Sequence, residues 1–526
     1  MKRKKVLYPS ILTVSFILCC GCGQNLQEAQ DGQPYPGQWS VEKANAWYAK
    51  QPWIVGCNYV PSTAINDVEF WQSETFDVKT IEKELALARE WGMNSVRVFL
   101  NYVVWEAEPE SLKKNFRTFL KLAEKQGISV MPVLFDDCNF SGAVAKVGKQ
   151  PDPIPGIHNS GWVSSPPRAM VTDPDAFPKL KAYLQDMVKT FRKDKRIIMW
   201  DLYNEPANAP HGDKCIELVK NSFQWAREMK PSQPLTIGLW ADFFSELSQL
   251  MLDMSDITSF HTYDGVPVVE AKIKRCTEGG RPVVCTEWLF RQAGITPQVI
   301  LPVFKEHKVG AYNWGLVEGR TQTYYHFGSR RDTPKPSVWQ LDLVQSDGTP
   351  YREAEFFFFR HIIFGEKAPE EPQKTDIVLL PISQTWKYTE NTPPANWFDI
   401  NFPDADWQTG NAPFGKEEMS IWRNPNTEWL SKAIWLRTTF DLTDEQLNSA
   451  DKIILLTHYD DDTYIYINGH LAIELPGYNA IYEEIELSPE AIKLLKPGTN
   501  TIAVSVINNW GGQFFDMGLV KQILQE

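Results

Sequence analysis

The chain has 526 residues, of which 43% are hydrophobic and 23% charged, and its formal net charge is −13. This length exceeds what one ordinary hydrophobic core holds and indicates two domains, one of which can be a barrel of about 250 residues or more. The acidic balance repels polyphosphates, so it excludes nucleic acid as a partner and fits a neutral substrate.

The N-terminus differs in composition from the rest of the chain. Four basic residues directly after Met1 precede the apolar run Ile11–Leu18, which is shorter than the roughly 20 residues of a membrane-spanning helix. This order of charged and apolar residues predicts a secretory signal peptide. Its end is similar to a bacterial lipoprotein cleavage site, with Cys22 as the lipidated residue and Cys20 as the alternative. The sequence therefore predicts an exported protein that is anchored to a membrane by an N-terminal lipid, in the periplasm or at the cell surface.

Five cysteines remain after the signal peptide, at positions 57, 138, 215, 276 and 285. Their spacing is not that of a zinc site, and their odd number does not define a disulfide framework. We interpret most of them as buried thiols, although export permits one disulfide among them.

From about residue 50 to residue 365, short apolar runs alternate with longer amphipathic stretches, as in repeated βα units. Stretches such as Thr80–Trp91 and Leu112–Lys125 carry apolar residues at the three- and four-residue spacing of a helix with one buried face. Eight units in succession predict a closed (β/α)8 barrel, the TIM barrel of the α/β class, rather than an open sheet. The predicted strands are Trp53–Tyr59, Ser95–Leu100, Ser129–Phe135, Ile197–Tyr203, Leu235–Leu239, Ile257–Phe260, Pro282–Thr286 and Gly310–Trp314.

A long insertion follows the third predicted strand, from Cys138 to about Pro174, and it is crowded with Gly, Pro, Ser and Asn. Loops of this length are usually functional or disordered. Because this one leaves the C-terminal end of a barrel strand, we expect it to form one wall of an active-site cleft.

The pattern changes after the last predicted barrel helix, Tyr351–Phe364, where a charged stretch with prolines marks a domain boundary. Apolar residues then alternate with period two, and Asn468-Gly469 is a hairpin signal, so an all-β jelly-roll sandwich follows. Residues 461–469 and 495–504 resemble galactose-binding-like domains. The predicted layout is signal peptide 1–21, tether 22–45, barrel 46–366, linker 367–376 and β-sandwich 377–526.

Two glutamates stand at the C-terminal ends of predicted barrel strands. Glu205 leaves the fourth strand in the motif Asn-Glu-Pro, and Glu287 leaves the seventh in the motif Thr-Glu-Trp. Each alone also fits a glutamate at the start of a surface loop. Strands four and seven face each other across a barrel, however, and cleavage of a glycosidic bond needs one protonated and one ionised carboxyl group. We therefore predict that Glu205 and Glu287 are a catalytic pair.

These two motifs resemble the retaining barrel hydrolases of clan A, most nearly glycoside hydrolase family 5, over about residues 50 to 365. The resemblance implies that Glu205 is the general acid/base and Glu287 the nucleophile, with Asn204 bonding the 2-hydroxyl of the substrate. On this assignment Glu287 stays ionised beside Arg97, and the pKa of Glu205 is raised as an acid requires.

Four further positions extend the resemblance. Arg97 on the second strand matches the arginine that supports the nucleophile, and His261 and Tyr263 after the sixth strand match a pair that contacts substrate and nucleophile. Trp314 closes the eighth strand and matches the aromatic floor on which a sugar ring stacks. The alternatives are a buried ion-pair partner for the arginine, a structural histidine, and a tryptophan that only packs in the core.

The third strand departs from the family pattern. The family commonly has a histidine after this strand, whereas this chain has Asp136-Asp137-Cys138. Asp136 and His158 are the candidates to take over its role.

Tryptophans supply further candidates for sugar binding. Trp162 and three other tryptophans, at positions 105, 240 and 288, lie on or near predicted strand-end loops. Because the chain has 20 tryptophans, we expect most of these side chains to serve packing instead.

Residues 313–323 and 347–351 also resemble a group of bacterial proteins labelled as xylanases or cellulase-family hydrolases. The sequence therefore predicts a retaining hydrolase of β-glycosidic bonds in a plant-type polysaccharide or oligosaccharide of the xylan, glucan or mannan type. The alternative is a lipid-anchored carbohydrate-binding protein whose barrel has lost activity. The chain has no His-Glu-x-x-His, paired Cys-x-x-Cys or Gly-x-Ser-x-Gly motif, so we expect neither a metal nor another cofactor.

Overall fold

The computed structural model describes residues 35–524, except for residues 242–244, 368, 370–373, 417–424, 448–451 and 510. The predicted signal peptide, Cys22 and the first part of the predicted tether lie outside the described residues. Within the described residues, no helix has both the length and the apolar character that a membrane crossing needs.

Eight parallel strand positions form a closed barrel in the first domain, as the sequence predicts. The eighth strand pairs with the first, with Val55 opposite Ala311. The fifth strand is interrupted at Ile237, so that one short piece pairs with the fourth strand and the other with the sixth. The barrel strands are Val55–Asn58, Ser95–Phe99, Ser129–Asp136, Trp200–Asn204, Leu235–Thr236 with Gly238–Leu239, Thr258–His261, Val283–Glu287 and Gly310–Trp314.

The helices around the barrel turn apolar faces towards it. Pro109–Lys125, for example, buries Leu112, Phe116, Phe119 and Leu120 on one side, and each such side chain contributes about 1.5–3 kcal/mol through burial. The helices of the first domain are Val41–Tyr48, Asp67–Trp71, Val78–Glu90, Tyr102–Ala107, Pro109–Lys125, Phe177–Phe191, Ile216–Glu228, Glu246–Met254, Val266–Thr277, Pro297–Glu306 and Glu353–Phe364. Short 3-10 turns cover Arg168–Met170, Gly212–Cys215 and Arg291–Ala293.

The helix Val41–Tyr48 closes the end of the barrel opposite the strand C-termini. Ser40 accepts a hydrogen bond from the first turn of this helix, and the buried Trp39 packs with Ile54 and Met131 at the strand starts. Residues 35–45, the last part of the predicted tether, are therefore packed against the barrel.

The second domain is a sandwich of two six-stranded sheets, and the pairings between its long strands are antiparallel. Its first strand, Lys374–Leu380, begins inside the predicted linker. The other strands are Thr385–Thr389, Gln408–Asn411, Phe414–Gly415, Thr427–Glu428, Ala433–Leu442, Lys452–Asp460, Asp462–Ile467, His470–Leu475, Tyr478–Glu486, Gly498–Ile507 and Phe514–Leu524, with short helices at Asp444–Leu447 and Pro489–Ile492.

The sandwich contacts the barrel through the strand Tyr478–Glu486 and the turn before it. Glu483, which is 6% exposed, accepts a hydrogen bond from Arg352 at 3.1 Å, and the ring of Tyr478 packs edge-on against Phe290. Gly477 lies so close to His326 that a β-carbon at this position would approach the imidazole to 2.5 Å. The sandwich is therefore packed closely against loops at the C-terminal end of the barrel.

Candidate active site

Glu205 emerges from the fourth barrel strand through a sharp turn of the backbone. Its φ of 46° lies in the left-handed region, which non-glycine residues enter at a cost and which occurs often at functional sites. Its carboxylate lies 2.7 Å from Nδ1 of His261 and accepts hydrogen bonds from Asn208 at 2.5 Å and from the thiol of Cys138 at 3.2 Å. The turn thus places the carboxylate among three polar partners from three barrel loops.

Glu287 ends the seventh barrel strand and is held by different partners. Its Oε1 accepts a hydrogen bond from Arg97 at 3.2 Å, and its Oε2 accepts one from the hydroxyl of Tyr263 at 2.9 Å. Nδ1 of His261 lies 3.4 Å from Oε2. A carboxylate oxygen of Glu205, a ring nitrogen of His261 and a carboxylate oxygen of Glu287 all lie within 4.8 Å of one another.

Arg97 is fully buried and connects four groups beneath the two glutamates. Besides Glu287, its guanidinium donates to Asp201 at 2.8 Å, to Asn58 at 2.6 Å and to Asn204 at 2.6 Å. A planar guanidinium with five donors suits such a cluster, because several acceptors are held in fixed directions. Arg97 is thus both the predicted partner of Glu287 and a structural ion-pair partner of Asp201.

The pKa shifts of the two glutamates are opposite to the predicted ones. Burial alone would raise the pKa of Glu205, but hydrogen bonding and charge from His261, with further hydrogen bonds from Asn208 and Cys138, outweigh it and lower the pKa. Burial raises the pKa of Glu287, and the neighbouring Glu205 adds to the rise against the opposing effects of His261 and Arg97. The prediction that Glu205 has the raised pKa was wrong, because it did not foresee three donors on one carboxylate.

His261 has one engaged and one unengaged ring nitrogen. Its Nε2 is buried without a hydrogen-bond partner among the described residues. Nδ1 is the ring nitrogen that faces Glu205, and it donates the hydrogen bond to that carboxylate. This hydrogen bond stabilises the ionised form of Glu205.

Asp136 supports the site from below. It is 1% exposed and accepts hydrogen bonds from Asn204 at 2.8 Å and from the indole of Trp162 at 2.7 Å. Burial raises the pKa of Asp136 to about 7, against the effect of these hydrogen bonds. Asp136 therefore orients two neighbours, while Cys138, two residues later, is the residue after the third strand that contacts Glu205.

His158 lies on the cavity wall rather than at the glutamates. Its Nδ1 lies 2.7 Å from the carbonyl of Tyr325, to which it donates, and burial lowers the pKa of His158 to about 4. The imidazole is therefore neutral and forms part of an aromatic surface.

The predicted aromatic residues divide into two groups. Trp314, Trp162 and Trp240 line the cavity above the glutamates, and Trp314 packs edge-on against Trp162 with ring centroids 5.7 Å apart. Trp288 is instead fully buried beside Phe304, and Trp105 bonds Asp186 away from the cavity. Trp314 and Trp240 are therefore the tryptophans that a sugar ring can reach, whereas Trp162 is only 1% exposed and supports Trp314 from behind.

Asp137 fixes the loop that carries Glu205. It accepts hydrogen bonds from the hydroxyl of Tyr203 at 2.7 Å and from the backbone N–H of Ala207 at 2.9 Å, and its Oδ2 lies 2.8 Å from Nε2 of His211. Cys215 completes a group of donor atoms within 4.8 Å of one another. The hydrogen bonds of Asp137 explain why these side chains lie together: they hold the turn that carries Glu205.

The cavity has a volume of about 290 Å³, near the lower limit for small-molecule sites. Two long loops border it: residues 138–174, which we name loop 3, and residues 315–352, which we name loop 8. The backbone N–H of Asn159 donates to Thr321 and that of Asp332 donates to Pro155, both at 2.8 Å. Loop 3 therefore forms the wall that the sequence predicts, but it does so together with loop 8.

Several residues of the site were not foreseen from the sequence. Cys138 was interpreted only as one of the buried thiols, and Asn208, Phe140 and Phe327 were not singled out, although all four line the cavity. Arg97 and Asp201 are single charged residues in two otherwise apolar strands. This pattern could have predicted their ion pair, because charged residues in a barrel interior need partners. The contacts of Phe140 and Phe327 depend on how two distant loops fold.

A (β/α)8 barrel whose strand ends carry two neighbouring carboxyl groups beneath an aromatic-lined cavity defines the class of the glycoside hydrolases. The arginine, histidine and tyrosine around these carboxyl groups belong to the same arrangement.

Residues 58–316 match the family model described as cellulase (glycosyl hydrolase family 5). The match runs from the end of the first barrel strand to just beyond the eighth. The barrel is therefore a glycoside hydrolase domain. Among curated proteins, none matches the chain.

Solved structures that are similar to this chain include an exo-β-1,4-mannosidase from an Opitutaceae bacterium, strain TAV5, at 18% identity and a TM-score of 0.43. That match covers 58% of this chain and 59% of the mannosidase, so this chain spans less than two thirds of that protein. An endo-β-1,4-mannanase from Thermotoga petrophila matches at 13% identity over 90% of this chain and 98% of its own, with a TM-score of 0.43.

Proposed function

We propose that this chain is a retaining glycoside hydrolase that cleaves β-glycosidic bonds in a plant-type polysaccharide or oligosaccharide by double displacement. The observation that carries the proposal is the close approach of Glu205 and Glu287, whose carboxylate oxygens lie within 4.8 Å of each other. Retaining enzymes hold their two carboxyl groups about 5–5.5 Å apart, whereas inverting enzymes leave about 6.5–9.5 Å for a water molecule. The spacing favours direct attack by one carboxylate.

Glu287 is the nucleophile in this mechanism. Arg97 and Tyr263 each donate to one of its oxygens, so the carboxylate is held in one orientation beneath the anomeric carbon. Its attack on the anomeric carbon forms a covalent glycosyl-enzyme ester while the glycosidic C–O bond breaks, and the departing oxygen takes the proton of Glu205.

Glu205 is the general acid in the first step and the general base in the second. The two buried glutamates lie close enough for their ionisations to be coupled. Burial and the neighbouring Glu205 raise the pKa of Glu287, whereas the first step requires the proton on Glu205 and the ionised form of Glu287. In the glycosyl-enzyme Glu287 is neutral, so the donors around Glu205 then favour the ionised form that activates water.

The substrate is a neutral glycan of the xylan, glucan or mannan type. The cavity combines aromatic side chains with amide, carboxyl and hydroxyl groups; the aromatic rings suit the apolar face of a pyranose ring, and the polar groups suit its hydroxyls. Lys272, the cationic side chain among the described lining residues, is paired with Asp264 at 2.6 Å, so its charge is already balanced by a carboxylate and does not favour an acidic sugar.

Substitution of the two glutamates tests the proposal. We expect Glu287→Gln to abolish turnover of an aryl β-glycoside with an unchanged circular dichroism spectrum, because the amide cannot form the covalent intermediate. Glu205→Ala should lower turnover by about 10²–10⁴-fold, and azide should partly restore it by replacing the attacking water. Glu318→Gln is the matched control, since Glu318 lies on the same face of the barrel and bonds Lys335; we expect wild-type activity for it.

The stereochemistry of the first product provides a second measurement. Proton NMR during hydrolysis should show the β-anomer first, followed by mutarotation. The α-anomer as the first product would contradict double displacement. Wild-type turnover in Glu287→Gln would refute the assignment of the nucleophile, and absence of turnover by the wild type on xylan, glucan, mannan and their aryl glycosides would favour the carbohydrate-binding alternative.

A further inference from the structure

The cavity is closed on one side by loops 3 and 8, which are joined by side chains as well as by backbone. Gln322 donates to the carbonyl of Ile154 at 2.8 Å, and the hydroxyl of Ser329 accepts from the backbone N–H of His158 at 2.9 Å. Together with the two backbone hydrogen bonds already described, these contacts connect residues 154–159 of loop 3 to residues 321–332 of loop 8. No solvent-filled groove for a polymer is expected between loops that are bonded in this way.

The loop after the first barrel strand fills the space behind them. Asn66 is fully buried and donates to the carbonyl of Gly161 in loop 3 at 2.9 Å. In loop 8, the backbone N–H of Arg320 donates to Ser62 at 3.0 Å, and a β-carbon on Gly319 would lie 2.5 Å from the α-carbon of Ser62. Three loops therefore pack closely over the first and second strands.

A row of aromatic rings forms the inner face of this wall. Phe140 and His158 have centroids 5.8 Å apart, His158 and Phe327 4.8 Å, and Phe327 and Tyr263 5.4 Å. The row runs across the barrel mouth from the end of the third strand to the end of the sixth. It separates the cavity from the part of the mouth that the three loops cover.

The opposite side of the cavity is bordered by short loops. Only residues 262–265 separate the sixth strand from the next helix, and residues 240–245 separate the fifth strand from its helix. Asn208 and Trp240 line the cavity on this side, where Trp240 is held by a hydrogen bond to the carbonyl of Pro206. Within the described residues, no loop as long as loop 3 or loop 8 borders the ends of strands four and five, and the cavity therefore opens on that side.

The proposed mechanism predicts which part of the substrate occupies each side of the cavity. The general acid protonates the glycosidic oxygen that departs, so the leaving group lies beside Glu205, towards the open side. The sugar that becomes attached to Glu287 lies on Trp314, with the aromatic row beyond it. A chain that continued past this sugar would have to pass through the row and the loops behind it.

We propose that the enzyme acts at chain ends: it accepts the non-reducing terminal sugar of a β-glycan into the closed side of the cavity and releases that sugar, while the rest of the chain leaves through the open side. This inference rests on the proposed function. Phe140 and Phe327, which are 52% and 37% exposed, are the side chains that set the length of the sugar-binding side.

Paired aryl glycosides test the proposal, because the aryl group occupies the leaving-group side in both members of a pair. We expect the wild type to hydrolyse an aryl β-monosaccharide of the xylose, glucose or mannose series with a kcat/KM at least tenfold above that for aryl release from the corresponding aryl β-1,4-disaccharide. Aryl release from the disaccharide, with the monosaccharide glycoside at least tenfold poorer in every series, would overturn it. Comparable values for direct aryl release, measured by the intact disaccharide that forms with it, would also overturn it, because they would show that the sugar-binding side holds two rings.

Substitutions in the aromatic row test whether these side chains cause the preference for the monosaccharide. Phe140→Ala and Phe327→Ala should raise aryl release from the disaccharide relative to the monosaccharide by at least fivefold. Val144→Ala is the control on loop 3, since Val144 is 71% exposed and does not line the cavity; we expect no change in the ratio. Unchanged ratios in both phenylalanine variants, with unchanged melting temperatures, would contradict the role of the aromatic row.

The failure of this inference differs from the failure of the proposed function. If the wild type releases no aryl group from either kind of glycoside, hydrolysis itself is refuted. If it releases the aryl group but prefers the disaccharide, hydrolysis stands and the chain-end mode is refuted.

Discussion

Cys138 lies where its thiol tunes the ionisation of Glu205. Its Sγ donates to Oε2 of Glu205 at 3.2 Å and is itself contacted by the side-chain amides of Asn204 and Asn208 at 3.5 and 3.4 Å. Burial, with the charges of Glu205 and Asp136, raises the pKa of Cys138 well above that of a free thiol. The thiol therefore stays protonated and acts as a donor rather than as a nucleophile.

Removal of this donor should shift the pH dependence of the reaction. In Cys138→Ala the ionised form of Glu205 loses a hydrogen bond, so the pKa of Glu205 rises and the alkaline limb of kcat/KM moves to higher pH by about 0.5–1 unit. Cys138→Ser keeps a donor and should shift the limb less. The measurement is kcat/KM against pH on an aryl β-glycoside.

Cys276→Ala is the matched control for this pH profile. Cys276 is also a buried free thiol, but it lies on the helix Val266–Thr277 outside the cavity. Its pH profile should equal that of the wild type. An alkaline limb in Cys138→Ala that moves to lower pH would contradict the donor role.

The sequence predicted the identity of the charged residues at the site better than their ionisation. Motifs at strand ends located Glu205, Glu287, Arg97 and His261, because a barrel fixes which ends of its strands meet. The pKa directions depend on distances of a few tenths of an ångström, such as the 2.7 Å and 3.4 Å from His261 to the two glutamates. No periodicity in the sequence encodes such differences.

At the scale of elements, the contact between loops 3 and 8 depends on close backbone approach at Gly156. Its φ is +81°, and a β-carbon there would lie 2.3 Å from the backbone nitrogen of Thr333 and 2.8 Å from the carbonyl oxygen of Arg330. Only glycine fits this contact without movement of one loop away from the other.

We therefore expect Gly156→Ala to loosen the closed side of the cavity. Its free energy of unfolding should fall by about 1–3 kcal/mol, and KM for an aryl β-monosaccharide should rise because the sugar-binding wall is displaced. Thermal unfolding and steady-state kinetics measure the two effects.

Gly142→Ala is the control that distinguishes loss of the contact between loops 3 and 8 from the cost of placing alanine at a positive φ. Gly142 also lies in loop 3 with a φ of +68°, but a β-carbon added there would have no described atom within 4 Å beyond its chain neighbours. This variant should show only the smaller cost of a left-handed alanine, about 1 kcal/mol, and an unchanged KM. Equal effects in the two variants would show that the loop contact does not contribute.

The barrel strands were predictable because alternating apolar runs and helices leave few topologies open. The eighth predicted strand agrees with the structure at both ends, whereas the fifth is interrupted at Ile237, between pairings with the fourth and sixth strands. The pairing of loops 3 and 8 joins residues more than 150 positions apart, and neither loop carries a regular pattern. Only their length and composition indicated a function.

At the scale of the whole molecule, a partly buried ion pair joins the two domains. Arg352 lies just before the last barrel helix and donates to Glu483 of the sandwich. Burial raises the pKa of Glu483, although the charge of Arg352 opposes this rise. Without Arg352, the carboxylate would remain buried next to Glu355 with less compensation.

Arg352→Met should therefore destabilise the protein in a pH-dependent manner. The folded-state pKa of Glu483 lies above its unfolded value, so stability falls as pH rises through the folded-state pKa, and loss of Arg352 increases this fall. We expect a loss of about 1–3 kcal/mol at pH 8 and a smaller loss at pH 5. Thermal unfolding at both pH values measures it.

Two further variants check the cause. Arg360→Met removes an arginine of the helix that follows Arg352, and this arginine pairs with Glu366 within the barrel domain; its effect should be small at both pH values. Adding Glu483→Gln to Arg352→Met should restore part of the stability at pH 8. A loss that is equal at pH 5 and pH 8 would exclude the carboxylate as its source.

The aromatic row of the cavity continues into the sandwich. Phe327 packs against Phe290 with centroids 5.7 Å apart, and Phe290 packs against Tyr478 at 5.9 Å. The side chain that limits the depth of the sugar pocket thus rests, through one intermediate ring, on the second domain. A recombination event that exchanged the sandwich for another would therefore also exchange the ring against which Phe290, and through it Phe327, is packed.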